Sequence, residues 1–95
     1  MSNAEKWKEE EKKYAQKYGS YWTEDIKAKV QEAYIVGGST GAANAIKESA
    51  LWYRGRDSKT GEFKAYEVKA SDKNKNVMTQ ASAQQQAADY NTLVS

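Results

Sequence analysis

The sequence predicts an α+β fold that is mostly helical: three N-terminal helices, one β-hairpin and one C-terminal helix. Three observations predict it. A breaker-free stretch rich in Glu, Lys and Ala opens the chain, and apolar residues at i, i+4, i+7 and i+8 come after it. Beyond them, a turn sequence leads into a run that alternates apolar and polar residues. The 95 residues contain no proline, so long helices are free to form.

Each element has its own grounds. Residues 4–18, AEKWKEEEKKYAQKY, are good helix formers, with Glu9 and Lys13 at i, i+4 in the favourable order. Trp7, Tyr14 and Tyr18 share one stripe of that helix, interrupted by Glu11. Gly19-Ser20 stops it, and Thr23 is placed to cap a second helix, with Glu24 and Asp25 at the positive end of its dipole. Ile26, Val30, Ala33 and Tyr34 form an apolar face, which Gly37 closes as a C′ residue. The run Gly37-Gly38-Ser39-Thr40-Gly41 lacks the Lys-Ser or Lys-Thr pair of a phosphate-binding loop and reads as a helix-turn-helix connection. A third helix is expected over 41–49 through Ala42, Ala45 and Ile46.

After Ala50 the character changes. Leu51 to Arg54 favours extended structure, and Asp57-Ser58-Lys59-Thr60-Gly61 is a turn sequence. From Phe63 to Ala70, Tyr66, Val68 and Ala70 fall on one face of a strand, and Phe63, Ala65, Glu67 and Lys69 on the other. The face of Tyr66 and Val68 is expected to turn inward and Glu67 and Lys69 to face solvent. Thr79 is placed to cap a last helix over 80–91, with a thin stripe of Ala83, Ala87 and Tyr90. The expected organisation is a charged N-terminal helix or arm over 1–20, a small helical and hairpin unit over 21–76, and a Gln/Ala-rich helix or tail over 77–95.

Composition narrows the function. Val, Ile, Leu and Phe together number 11, below the roughly one-fifth of residues that ordinary globular domains devote to them. Seven Tyr and three Trp are the larger apolar side chains, and these carry polar atoms and suit half-buried positions. With neither Cys nor His, disulfides, thiolate metal sites and Ser-His or Cys-His catalytic pairs are excluded. There is no membrane-length apolar run and no charged-then-apolar leader, so a soluble protein without a signal peptide is expected. A net charge of +2 is small for a dedicated electrostatic nucleic-acid binder, yet residues 51–76 hold seven basic and four acidic residues, with Trp52, Tyr53 and Tyr66 among them.

The preferred expectation is a non-enzymatic interaction protein, a linker, accessory or assembly subunit of a larger complex. Its partners would be other protein subunits, in an oligomer or hetero-complex, and it would need no cofactor. Trp7, Tyr14, Tyr18, Trp52, Tyr53 and Tyr66, with Arg54 and Arg56 beside them, are the candidate partner-binding residues, since aromatics and Arg dominate protein interfaces. The same interleaving of aromatics and cations also suits single-stranded nucleic acid, and a small module of that kind is a further alternative.

One constellation points to chemistry. Asp57, then Glu67-Val68-Lys69 on a strand, then Gln86 and Tyr90 on a later helix, resemble the pattern of the PD-(D/E)XK nucleases in their RecB-like branch. The resemblance implies a Mg²⁺ ion held by Asp57 and Glu67, with Lys69 positioning or activating the attacking water. Hard cations take oxygen ligands, and a bound metal both generates hydroxide and clamps a phosphate. Glu48 is a substitute for Asp57 that departs from the family pattern. A turn centred near Lys59 sets Glu67 opposite Trp52 and Asp57 at the hairpin tip, more than about ten ångströms away at 3.3 Å per residue. Such a nuclease, acting on DNA or RNA, is the alternative to the interaction protein.

Overall fold

The structure, a computed structural model, describes residues 2–95. It is a mostly helical α+β fold with three helices and a two-stranded antiparallel hairpin. Helix α1 spans Asn3–Tyr18, α2 Glu24–Lys47 and α3 Gln80–Val94, with strands β1 Trp52–Arg56 and β2 Phe63–Glu67 between α2 and α3.

The caps act where the sequence places them, but the break expected at Gly37 falls one residue later, at Gly38. Ser2 caps α1 through a capping box, its hydroxyl accepting from the Glu5 amide and its own amide donating to Glu5 Oε1 at 3.1 Å. Thr23 and Thr79 cap α2 and α3 by accepting from the amides of Ile26 and Ser82. Two N-terminal helices are found where three are expected, because the second and third run together as α2. They remain mechanically distinct. Gly38 interrupts the helix with φ 63° and ψ −150°, backbone angles essentially confined to glycine. A Cβ on Gly41 would lie 2.3 Å from the Ala33 carbonyl oxygen, eight residues earlier. An unbroken helix would hold those residues about 12 Å apart. The two halves of α2 therefore fold back on each other, and Lys29 on the first half pairs with Glu48 just beyond the second, at 3.9 Å.

Aromatic rings fill the space that few aliphatic residues are available to fill. Trp7 lies 5.6 Å from Tyr34 and 6.0 Å from Tyr14, and Tyr14, Tyr18 and Trp22 stack on one another at 5.3 to 6.3 Å. These are favourable ring separations, and each such side chain buries about 150–250 Å². Val30 and Tyr34 bury the predicted face of α2, and Ile46, Leu51 and Val68 carry the core toward the hairpin.

The hairpin register pairs Trp52 with Glu67, Tyr53 with Tyr66, Arg54 with Ala65, Gly55 with Lys64 and Arg56 with Phe63. A lone hairpin is marginal in water. Here Met78 bridges to Trp52 along the outer edge of β1, and α3 packs on one face. The covered face is that of Arg54, Phe63 and Ala65, contrary to the expectation that Tyr66 and Val68 turn inward together. Val68 is fully buried, but beyond the end of β2, against the helical core. The radius of gyration is 14.9 Å, against about 12.4 Å for a compact chain of this length, and the longest axis is 51 Å. No helix among the described residues is long and apolar enough to cross a membrane.

Candidate functional site

With α3 on one face of the hairpin, the other face stays open. Strand alternation puts Tyr53, Gly55, Lys64 and Tyr66 on it. Gly55 decides the shape. A Cβ there would meet Tyr66 Cδ2 at 2.7 Å and Tyr53 Cε2 at 3.0 Å, so both rings lean across the glycine. Their centroids are 5.9 Å apart, both residues are half-buried, and the Lys75 ammonium lies 4.8 Å from the Tyr53 ring. Burial holds the Tyr53 phenol above its ordinary pKa, with the Asp72 carboxylate adding to it. The rings floor a shallow open depression of about 550 Å³, rimmed by Arg56, Lys59, Lys69 and Lys75.

The acids around this face are already engaged. Asp57 accepts from the amides of Lys59 and Thr60 at 2.8 and 3.1 Å and pairs with Lys64 at 3.2 Å. Those amide bonds first, and Lys64 after them, hold its carboxyl below the ordinary carboxylate range. Glu67 pairs with Lys17 of α1 at 2.6 Å, and Asp72 accepts from the Lys69 amide at 2.9 Å. The side chains of Lys59, Lys69 and Lys75 are exposed to solvent. The face is therefore positive.

The nuclease-like set does not assemble. Glu67 pairs in register with Trp52, so Asp57, one residue past β1, lies about 16 Å away at 3.3 Å per residue. Glu48 is engaged by Lys29, Gln86 accepts from Arg54 at 3.1 Å, and Tyr90 lies beneath the Arg54 guanidinium at 3.8 Å. Lys69 faces solvent as expected, whereas Glu67 is half-buried in its pair with Lys17. Among the described residues no three acidic, His or Cys side chains converge as a metal-binding group. Asp57 and Glu67 as placed do not fit a shared Mg²⁺ ion, and no step through one emerges from this geometry.

Comparison with protein-family models, with curated proteins and with solved structures finds no match.

The candidate partner-binding residues separate into three groups. Trp7 and Tyr18 are buried and Tyr14 half-buried in the aromatic core, where their rings face this chain. Trp52 donates its indole N–H to the Ile46 carbonyl at 3.1 Å, and Arg54 is committed to α3. Tyr53 and Tyr66 remain on the open face, while Arg56 lines its rim with its guanidinium donating to the Gly61 carbonyl at 3.0 Å and lying 5.3 Å from the Phe63 ring. Two further residues shape the site without standing out in the sequence. Gly55 had a signal that could have found it, since a glycine inside a strand marks a close approach of another group. Lys17 had none, because its pairing with Glu67 bridges 50 positions and leaves no local trace.

Proposed function

We propose that this chain is a non-enzymatic interaction module that holds an anionic partner on the open face of its hairpin. The observation that carries the reading is that Lys59, Lys69 and Lys75 stand exposed around a floor of two tyrosine rings, while Asp57 and Glu67 beside them are each paired with another lysine of the chain. The chain's net charge is +2, and residues 51–76 hold an excess of three positive charges; Arg54 of that set is turned to α3, while the exposed lysines stand at this face. Such a field draws anionic ligands and speeds their encounter.

Retention on a heparin column tests the reading. Replacing Lys59, Lys69 and Lys75 with Glu is expected to abolish retention at about 0.1 M salt, where the Debye length is still near 10 Å. The same change in net charge placed on exposed Lys8, Lys12 and Lys47 is expected to leave most of it. Equal loss in both triple variants would mean that net charge alone is read, and the face would lose its role. Incubation with plasmid and RNA, in Mg²⁺ and in EDTA, is expected to leave both substrates intact. Metal-dependent cleavage lost in Glu67→Ala would replace this reading with the nuclease.

A second reading, a subunit seated among protein neighbours, is favoured by exposed apolar residues at two places. Val36 is 83% exposed at the bend of α2 and Leu93 79% near the end of α3. Sedimentation of the wild-type chain and of Val36→Asp across a wide concentration range checks whether those neighbours include further copies of this chain.

A further inference from the structure

We infer that the anionic partner is an unpaired strand of nucleic acid, its bases stacking on Tyr66 and Tyr53 while Lys59, Lys69 and Lys75 neutralise its phosphates. The inference rests on the anion-binding reading above and adds the chemical class of the anion.

Charge alone does not discriminate among anions; the floor does. Tyr53 and Tyr66 are cross-strand partners whose rings meet over Gly55, 5.9 Å apart and inclined at 32°, and both rings line the depression. A sulfated sugar or an acidic peptide uses the lysines and leaves those π-faces without a planar partner. A duplex meets the lysines too, but its bases are already stacked and paired. An unpaired strand offers both groups at once, flat bases joined by a charged backbone, and aromatic platforms beside cations are how single strands are held without sequence preference. Two rings on adjacent strands suit two successive bases, as in other sheet-based single-strand sites. Lys75, now 4.8 Å from the Tyr53 ring, is the cation that must yield its place to an incoming base, and its free ammonium then meets the backbone. Asp57 and Glu67 do not oppose the strand, because Lys64 and Lys17 neutralise them.

Fluorescence anisotropy decides it, using the full chain and four labelled probes: oligo(dT) of about 12 nucleotides, the same backbone without bases, a duplex of equal length, and poly-glutamate. Oligo(dT) is expected to bind about ten-fold or more tightly than the baseless strand, the range that stacking on a ring supplies. Its affinity should fall with salt with a log–log slope of about −2, the value for three phosphate contacts on a single strand. Tyr66→Ala is expected to erase the advantage over the baseless strand, and Tyr66→Phe, which keeps the ring, to restore it. That rescue separates stacking from a general loss of fold. Equal binding of oligo(dT) and the baseless strand would overturn the inference and leave the anion-binding reading standing. Tighter binding of the duplex or of poly-glutamate would overturn it in favour of those partners. If all four probes fail to bind, the anion-binding reading falls with it.

Discussion

The side-chain amide of Asn91 bonds both backbone groups of Phe63, accepting from its N–H at 2.7 Å and donating to its C=O at 2.9 Å. A residue near the end of α3 thus occupies the place a third strand would take beside β2. Met78 does the equivalent on the outer edge of β1, where Trp52 and Met78 exchange backbone bonds of 3.0 and 2.7 Å. Unpaired strand edges invite other chains, and here each edge of the two-stranded sheet is engaged at one residue, Trp52 on β1 and Phe63 on β2. Beside Asn91, Arg54 bonds Gln86 and lies over Tyr90, so a helix with only Ala83 and Ala87 buried is fastened largely through polar side chains.

Asn91→Ala removes two hydrogen bonds to part-buried groups. The expected cost is about 1–3 kcal/mol by urea denaturation, given about 0.5–1.5 kcal/mol for each. Hydrogen exchange at the Phe63 amide should rise more than exchange at Val30 or Tyr34, which lie in the helical part of the core. Uniform acceleration across both would contradict a local role for Asn91.

The fold-back of α2 yields a pair of matched substitutions. Gly41→Ala drives a methyl group to 2.3 Å from the Ala33 carbonyl oxygen, and a backbone atom inside a helix gives little ground. The expected loss is about 1–3 kcal/mol or more, an overpacking penalty. Gly37 has nothing within 4 Å of an added Cβ, so Gly37→Ala should hold or gain about 0.4–1 kcal/mol by restricting the unfolded chain. At about 4–8 °C per kcal/mol for a domain of this size, thermal melts resolve the two variants in opposite directions. Equal behaviour would refute the close approach of the two halves.

What the sequence makes legible is local. Thr23 and Thr79 are caps because each stands three residues ahead of the amide it accepts from, and Asp57 to Gly61 is a turn because Asp57 binds the amides two and three positions on. Val30 and Tyr34 bury a face that spacing alone reveals. What escapes is non-local. Nothing near Phe63 announces that Asn91 will complete its edge, and that bond helps decide which hairpin face α3 covers. The aromatic stripe of α1 reads equally as an arm for a partner or as a core, and only the presence of Tyr34 against Trp7 settles its place inside the chain. For the candidate site, Tyr53, Tyr66 and the lysines are visible as a cluster, but not the neutralisation of Glu67 by a residue on α1.

Gly55→Val tests the shape of the platform apart from its composition. The new side chain occupies the space that Tyr66 Cδ2 and Tyr53 Cε2 now fill, so both rings must swing off the strand. The strand itself should tolerate the change, since a β-branched residue offsets part of the strain through its own preference for extended backbone. The net effect on stability is expected to stay within about 1 kcal/mol, near the span of strand propensities. Ring-to-backbone nuclear Overhauser effects between Tyr66 and residue 55 should change, and binding of oligo(dT) should weaken with them. Unaltered ring contacts would show that the glycine is not what lays the tyrosines flat.

Tyr18 carries the last prediction. Its ring is fully buried, and its hydroxyl finds no partner at hydrogen-bond geometry although the Glu67 carboxylate is close. Burial first, and Glu67 second, hold the phenol well above its ordinary pKa of 10, while Lys17 lies over the ring, 5.2 Å away, and Tyr14 stacks beside it. Below pH 10 the phenol is neutral in folded and unfolded chains alike, and it contributes no pH dependence. Above pH 10 the unfolded chain ionises first, so stability falls as pH rises from there toward the raised folded value. Tyr18→Phe should therefore flatten the alkaline limb of a stability profile, without abolishing it, because Tyr14 and Tyr53 are shifted upward as well. At pH 7 the same variant should lose nothing and gain up to about 1 kcal/mol, since it deletes a buried polar atom that lacks a partner. A clear loss at pH 7 would mean that the hydroxyl donates to Glu67 in solution, and that Lys17 shares this carboxylate with it.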